Sequence, residues 1–195
     1  MDSDHPAHFI VSLALLTGLR ESELFALQWG DFDPAAGQLI IRRSVYDGVV
    51  DETKTTSSNR AFPLSGAAID LLNWWNRRLH WTADRDWIFS SPLKRGTRRQ
   101  AQRILRDHVY PACKRLGLRR PGWRTFRRTF ASWAHDRGVP SKVLAQLMGH
   151  TNVSTTMNIY TQVLPDAAQR AMDGLGDELL GSLFADSSRT TAYVN

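Results

Sequence analysis

Four well-separated stretches of the 195-residue chain carry side chains suited to chemistry on a charged substrate. The first is Thr17-Gly18-Leu19-Arg20-Glu21-Ser22-Glu23-Leu24, and the second pairs Thr53-Lys54-Thr55 with Arg60-Ala61-Phe62-Pro63-Leu64. The third runs Gly122-Trp123-Arg124-Thr125-Phe126-Arg127-Arg128-Thr129-Phe130-Ala131, and the fourth leads from Leu147-Met148-Gly149-His150 to Tyr160-Thr161. Guanidinium groups are planar, always charged and able to grip an oxyanion with two parallel hydrogen bonds. A free phenol has a pKa of about 10, so ionising it fully at neutral pH costs about 4 kcal/mol, which nearby cations can partly offset. Each residue alone also has a plain structural reading. Arg20 is then a helix-terminus charge, Arg127 one member of a basic face, Lys54 a solvated lysine, His150 a partner of a helix C-terminus, and Tyr160 a buried aromatic.

The charge balance asks for a polyanionic partner. Lys and Arg number 25 against 19 Asp and Glu, a formal net charge of +6. The excess is concentrated: Lys94 to Arg128 holds 13 basic residues and one acid, Asp107. Such a field suits a phosphate backbone through counterion release, and it suits a solvated basic face equally well until motifs are weighed. Cys113 is the only cysteine, which excludes an internal disulfide and fits a reducing cytoplasm. The apolar run Phe9 to Leu19 is too short to span a bilayer and follows Asp2 and Asp4, so neither a membrane span nor a signal peptide is expected.

These residues must be held by a mainly helical framework. Asp4 and Pro6 open a helix that stops at Gly18, and a short one is expected from Ser22 to Trp29. The period then changes. Gln38 to Val45, Gly48-Val49-Val50 and Arg60 to Leu64 read as three short antiparallel strands, with a polar connection from Glu52 to Asn59. Pro63 marks the last as an edge strand. Ser65 caps a helix through about His80, and another runs from Arg98 to Leu116, broken near Pro111. Thr125 to Arg137 stops at Gly138, and Ser141 to Met148 stops at Gly149. Ser154 caps the helix carrying Tyr160, Pro165-Asp166 begins the last helix, and disorder is expected after Ser187.

In that order and spacing, the four motif segments resemble the tyrosine recombinases, the integrase family of phages and mobile elements. The resemblance runs from about residue 5 to residue 175, so residues 1–175 are expected to form the catalytic domain and 176–195 a C-terminal tail. It implies an α+β domain with the small three-stranded sheet, of the type found in DNA breaking and rejoining enzymes. It also implies site-specific recombination or integration through a covalent 3′-phosphotyrosine bond, with neither metal nor ATP and no other cofactor. By this resemblance Tyr160 is the nucleophile, while Arg20 and Arg127 clamp the non-bridging oxygens. Lys54 protonates the departing 5′-oxygen, His150 donates to the phosphate, and Glu23 steadies the basic side chains. Arg98, Arg99, Arg103 and Arg128 are expected along the DNA. The implied partner is double-stranded DNA, with tetramers on synapsed DNA, a monomer free in solution, and a cytoplasmic place at the nucleoid of a bacterium or with its phage.

Two departures from the family pattern stand out. Arg124 occupies the position where the family usually has histidine, three residues before Arg127 on the same helix face. Arginine can bind phosphate and lower the phenol pKa, but it cannot accept the phenol proton. Few residues precede the first motif, so the family's N-terminal DNA-binding domain is expected to be missing. Three alternatives stay open. Ser141–Met148 followed by the helix from Ser154 could form a helix-turn-helix in a binding-only protein, or a degenerate DNA-binding domain. A metal-dependent nuclease would need a carboxylate cluster that the sequence lacks, and the six histidines form no ligand pattern. Leu179, Leu180, Leu183 and Phe184 form an apolar stripe for packing either on the chain's own domain or on a neighbouring protomer.

Overall fold

A computed structural model describes residues 6–52, 60–149, 169 and 172–180. The expected class holds: the domain is mainly helical with a small antiparallel sheet. Helix α1 (Pro6–Thr17) buries Phe9, Ile10, Leu13 and Leu16 and stops at Gly18, whose φ of 59° lies in the left-handed region. A Cβ at Gly18 would stand 2.3 Å from Cδ1 of Phe130, so the glycine also permits close approach of the long helix α6 (Trp123–Asp136). No described helix is long and apolar enough to cross a membrane.

Helix α2 (Glu21–Leu24) is one turn long, shorter than the expected Ser22–Trp29. The backbone beyond it pairs elsewhere. The amide of Ile88 donates to Leu27 O and that of Trp29 to Asp86 O, so tertiary pairing with 86–88 wins over helix continuation. A 3₁₀ turn at Trp29–Asp31 then leads into the strands.

The strands are β1 (Phe32–Asp33), β2 (Gln38–Ile41), β3 (Arg43–Tyr46), β4 (Val49–Glu52) and β5 (Arg60–Pro63). Three of them form a sheet in the order β1-β2-β5, with Pro63 on an edge strand as expected, while β3 and β4 form a separate two-stranded ribbon. Asp47 and Gly48, both at positive φ, make the tight turn between β3 and β4. Arg43 pairs with Glu52 and Ile41 pairs with Arg60. Segment 53–59 therefore follows a rung of the β3–β4 ribbon and precedes a rung of the β2–β5 ladder.

Ser65 caps α3 (Gly66–Asn76), its Oγ accepting from the amide of Ala68 at 3.2 Å. The expected helix from Arg98 is α4 (Ala101–Ile104) joined to α5 (Tyr110–Arg115) by a π segment, Leu105–Val109. Pro111 widens this helix instead of breaking it. Its ring lacks an N–H and would crowd the carbonyl four residues back, and the wider turn just before it relieves both problems. Helix α7 (Ser141–Leu147) ends at Gly149, φ 61°. The helix expected from Ser154 lies outside the described residues, as do the start of the one expected from Pro165, Leu183 and Phe184, while 169 and 172–180 are helical. In the helical stretch 172–180, Met172, Leu175 and Leu179 are buried in the domain's own core.

Aromatic rings tie these helices together. Trp75 of α3 stacks on Phe9 of α1 at 4.5 Å, Phe9 meets Phe89, Phe89 meets Phe25, and Phe25 meets Trp123 of α6 edge-on at 5.0 Å. Such pairs are worth about 0.5–1.5 kcal/mol each beyond burial, and they link the first turn of α1 to the first turn of α6.

Candidate active site

Arg20 sits at the N-cap of α2 with extended backbone, two residues beyond the Gly18 stop. Glu23 folds back over that turn. Its Oε2 accepts the Arg20 amide at 2.9 Å, and its Oε1 accepts Arg20 Nη1 at 2.8 Å. The Glu23 half of a capping box thus fixes backbone and side chain of Arg20 together. The remaining group of Arg20, Nη2, donates to Gly149 O at 2.7 Å, across 129 residues of sequence.

Arg127 comes from the opposite side. It lies on α6 between the buried Phe126 and Phe130, and its Nη1 donates to Gly18 O at 2.7 Å while Nη2 donates to Met148 O. The two arginines therefore hold the consecutive carbonyls of residues 148 and 149. Glu23 fulfils its expected contact with Arg20.

A third guanidinium enters, from the second motif segment, to which the sequence reading gave no role. Arg60 of β5 donates from Nη2 to Glu23 Oε2 at 3.3 Å and from Nη1 to Leu147 O, with a longer contact to Gln146 O at 3.4 Å. Alternation along β5 was the only available signal, because the partners lie 37 and 87 residues away in sequence. A cavity of about 300 Å³ opens beside the cluster, lined by Arg20, Glu23, Ile41, Arg43, Ser44, Arg60 and Gly149. Behind it Arg43 is held by the buried carboxylate of Asp31.

The electrostatics follow from three guanidinium charges against one carboxylate. Burial, and then the neighbouring charge of Arg20, push the Arg127 guanidinium down to about 10, with Glu23 opposing the shift. Burial lowers Arg60 as well, again against the pull of Glu23. Among the described residues, two of the three positive charges in the cluster are left without a carboxylate. An oxyanion in the cavity would satisfy them, since a guanidinium has five N–H donors and Arg20 and Arg127 each engage two here.

The other expected site residues divide into two groups. Arg124 is exposed on α6. Arg103 and Arg128 are exposed too, and Arg98 and Arg99 are half-buried. The Nε of Arg99 is buried with no hydrogen-bond partner, and burial pushes its guanidinium below the usual range. Lys54, His150 and Tyr160 lie outside the described residues. Arg60 of β5, which follows 53–59, and Gly149, which precedes His150, both line the cavity.

Comparison with known proteins gives a consistent likeness. The model of the phage integrase family matches residues 3–166. The chain is 28% identical over 197 residues to a tyrosine recombinase XerC-like protein of Caldanaerobacter subterraneus subsp. tengcongensis, covering 89% of this chain and 50% of that one. It is 31% identical over 162 residues to tyrosine recombinase XerD of Rhizobium meliloti, covering 82% and 48%. Among solved structures, XerA recombinase superposes with a TM-score of 0.61 at 21% identity, over 95% of this chain and 58% of that one. The Tn1549 transposon integrase in complex with transposon right end DNA gives 0.60 at 23%, over 86% and 58%. The chain spans about half the length of the curated relatives it matches.

Proposed function

The chain belongs to the phage integrase family, and from that membership we propose that it is the catalytic domain of a tyrosine recombinase acting on duplex DNA. Arg20 and Arg127 hold the scissile phosphate through its non-bridging oxygens. Tyr160 Oη attacks phosphorus, forming the phosphotyrosyl ester, while the bond from phosphorus to the 5′-oxygen breaks. Lys54 gives that oxygen its proton, and His150 donates to the phosphate. Attack by a 5′-hydroxyl from a second strand reverses the step, which conserves the bond energy and explains why no nucleotide is consumed. Strand exchange calls for four such domains on two synapsed duplexes, with the C-terminal tail docking on its own domain or on a neighbouring protomer. The likeness to a tyrosine recombinase XerC-like protein and to an integrase of Streptomyces ambofaciens supports this reading.

The observation that carries it is the arginine pair. Two guanidinium groups from α2 and α6, fixed by Glu23 and by the carbonyls of 18, 148 and 149, form with Arg60 a net positive cluster next to a cavity that Arg20 and Arg60 line. Preorganised donors of this kind supply the larger part of transition-state stabilisation in charge-transfer reactions. The weak point is proton acceptance. Arg124 has no lone pair to take the phenol proton, so that proton leaves to water, at a cost in rate.

Supercoiled plasmid in EDTA provides a test that needs no target sequence. The chain is expected to relax it and to form a protein–DNA adduct, Tyr160→Phe to do neither, and Arg124→His to relax it faster by about 10–100-fold. Relaxation retained by Tyr160→Phe overturns the covalent reading. DNA binding without any adduct in all three proteins favours a degenerate binding domain.

A further inference from the structure

A helix leaves its last carbonyls without internal partners, and α7 solves this with arginines. Arg60 serves Gln146 and Leu147, Arg127 serves Met148, and Arg20 serves Gly149. The same three side chains thus face two demands, the end of α7 and any phosphate in the cavity. Among the described residues, Arg20 and Arg127 each engage only two of their five side-chain N–H groups, which leaves donors for the second demand. Arg60 is differently placed. Its Nη1 contacts two carbonyls, its Nη2 holds Glu23, its plane lies over the Phe62 ring at 5.9 Å, and its side chain is 21% exposed against 41% for Arg20.

We propose that Arg60 is a positioning residue: it bolts the C-terminal end of α7 and the carboxylate of Glu23 to strand β5, and holds them there while Arg20 and Arg127 offer their remaining donors to a DNA phosphate. The inference rests on the functional reading above. Its consequence is spatial. The chain leaves α7 through Gly149 into His150 and on to Tyr160, and it leaves 53–59, with Lys54, through Arg60 itself. One side chain therefore joins the departure points of both segments that carry the remaining chemical groups. No room is wasted at this junction: a Cβ on Gly149 would lie 3.0 Å from Arg60 Cζ and 3.2 Å from Arg20 Nη1.

A lysine keeps the charge of Arg60 but has one point of attachment in place of a planar fork. The full chain is compared with Arg60→Lys and Arg60→Gln by plasmid relaxation rate, by affinity for a mixed-sequence duplex at several salt concentrations, and by amide hydrogen exchange in α7. Both variants are expected to relax plasmid about 100-fold more slowly, the loss typical of a misplacement near 1 Å. Affinity should stay within about threefold, the salt slope should not move, and exchange at the end of α7 should rise. Wild-type rate in Arg60→Lys overturns the proposal, because charge alone then suffices. A salt slope lower by about one phosphate contact overturns it too, making Arg60 a direct DNA ligand. Should Arg60→Gln fail to fold, Arg60→Lys decides. If the unaltered chain does not relax plasmid, the functional reading fails, and the exchange arm still judges Arg60: unchanged exchange in α7 rejects the bolt.

Discussion

At the scale of residues, the site is a contest between like charges that a carboxylate moderates only in part. Arg127 illustrates the sign of the effect. Its folded-state pKa lies below the ordinary guanidinium value, so the unfolded chain holds that proton more tightly. Burying the charge thus costs stability at every pH below about 10, and the cost fades only as pH rises through the window between that value and the ordinary one. An oxyanion bound at neutral pH offsets the same cost. Sulfate is therefore expected to raise the Tm of the chain more than chloride at matched ionic strength, and Arg127→Met should lose that excess while keeping the general salt effect. An identical sulfate increment in both proteins would remove Arg127 from the anion site. Gly149 makes a second case. Alanine there must adopt φ near 61° and press on two guanidinium groups, so Gly149→Ala should lower the plasmid relaxation rate by at least tenfold while stability drops by only about 1–2 kcal/mol. Urea titration and relaxation rate together check that split. Arg20, Glu23 and Arg127 were legible in the sequence because short motifs carry them. Arg60 was not, since its role is made by carbonyls at 146 and 147, which no side-chain pattern announces.

At the scale of elements, punctuation was easier to read than extent. Gly18, Ser65, Gly138 and Gly149 each stop or cap a helix where the sequence says they should, because left-handed backbone and capping oxygens are local requirements. Extents failed where distant partners intervened. The turn after Leu24 pairs with 86–88, and Pro111 is absorbed in a π segment. The two-sheet division of the strands was also hidden, because the jump in pairing between Arg43 with Glu52 and Ile41 with Arg60 is a matter of register alone. The tightest joint between elements is Gly18 against Phe130. Alanine at 18 meets both a left-handed φ and a ring 2.3 Å away, so Gly18→Ala should cost about 2–4 kcal/mol. For a chain of this size that is a fall in Tm of roughly 5–15 °C, read by calorimetry. The double variant Gly18→Ala with Phe130→Leu should recover part of the loss. No recovery would mean that backbone strain, and not the α1–α6 approach, sets the requirement.

At the scale of the whole molecule, the net charge of +6 matters less than which arginines have carboxylates of their own. Arg95 is paired with Asp86 and Arg106 with Asp107, so part of the basic run from Lys94 to Arg128 is neutralised at home. Arg103 and Arg128 are exposed. Arg103 follows Gln102, which touches Glu21 next to Arg20, and Arg128 follows Arg127 on α6. If DNA lies across the cavity, these two meet phosphates near the scissile one. Arg103→Ala and Arg128→Ala should then each lower the slope of log affinity against log salt by about 0.9, the share of one phosphate contact, and the double variant by about twice that. Arg106→Ala should move the slope much less, because its charge is already compensated by Asp107 at 2.6 Å. Equal slopes for all three variants would show that the basic run acts as a diffuse field and not as a track. In that case the orientation of DNA across the domain would have to be set by the cavity cluster alone.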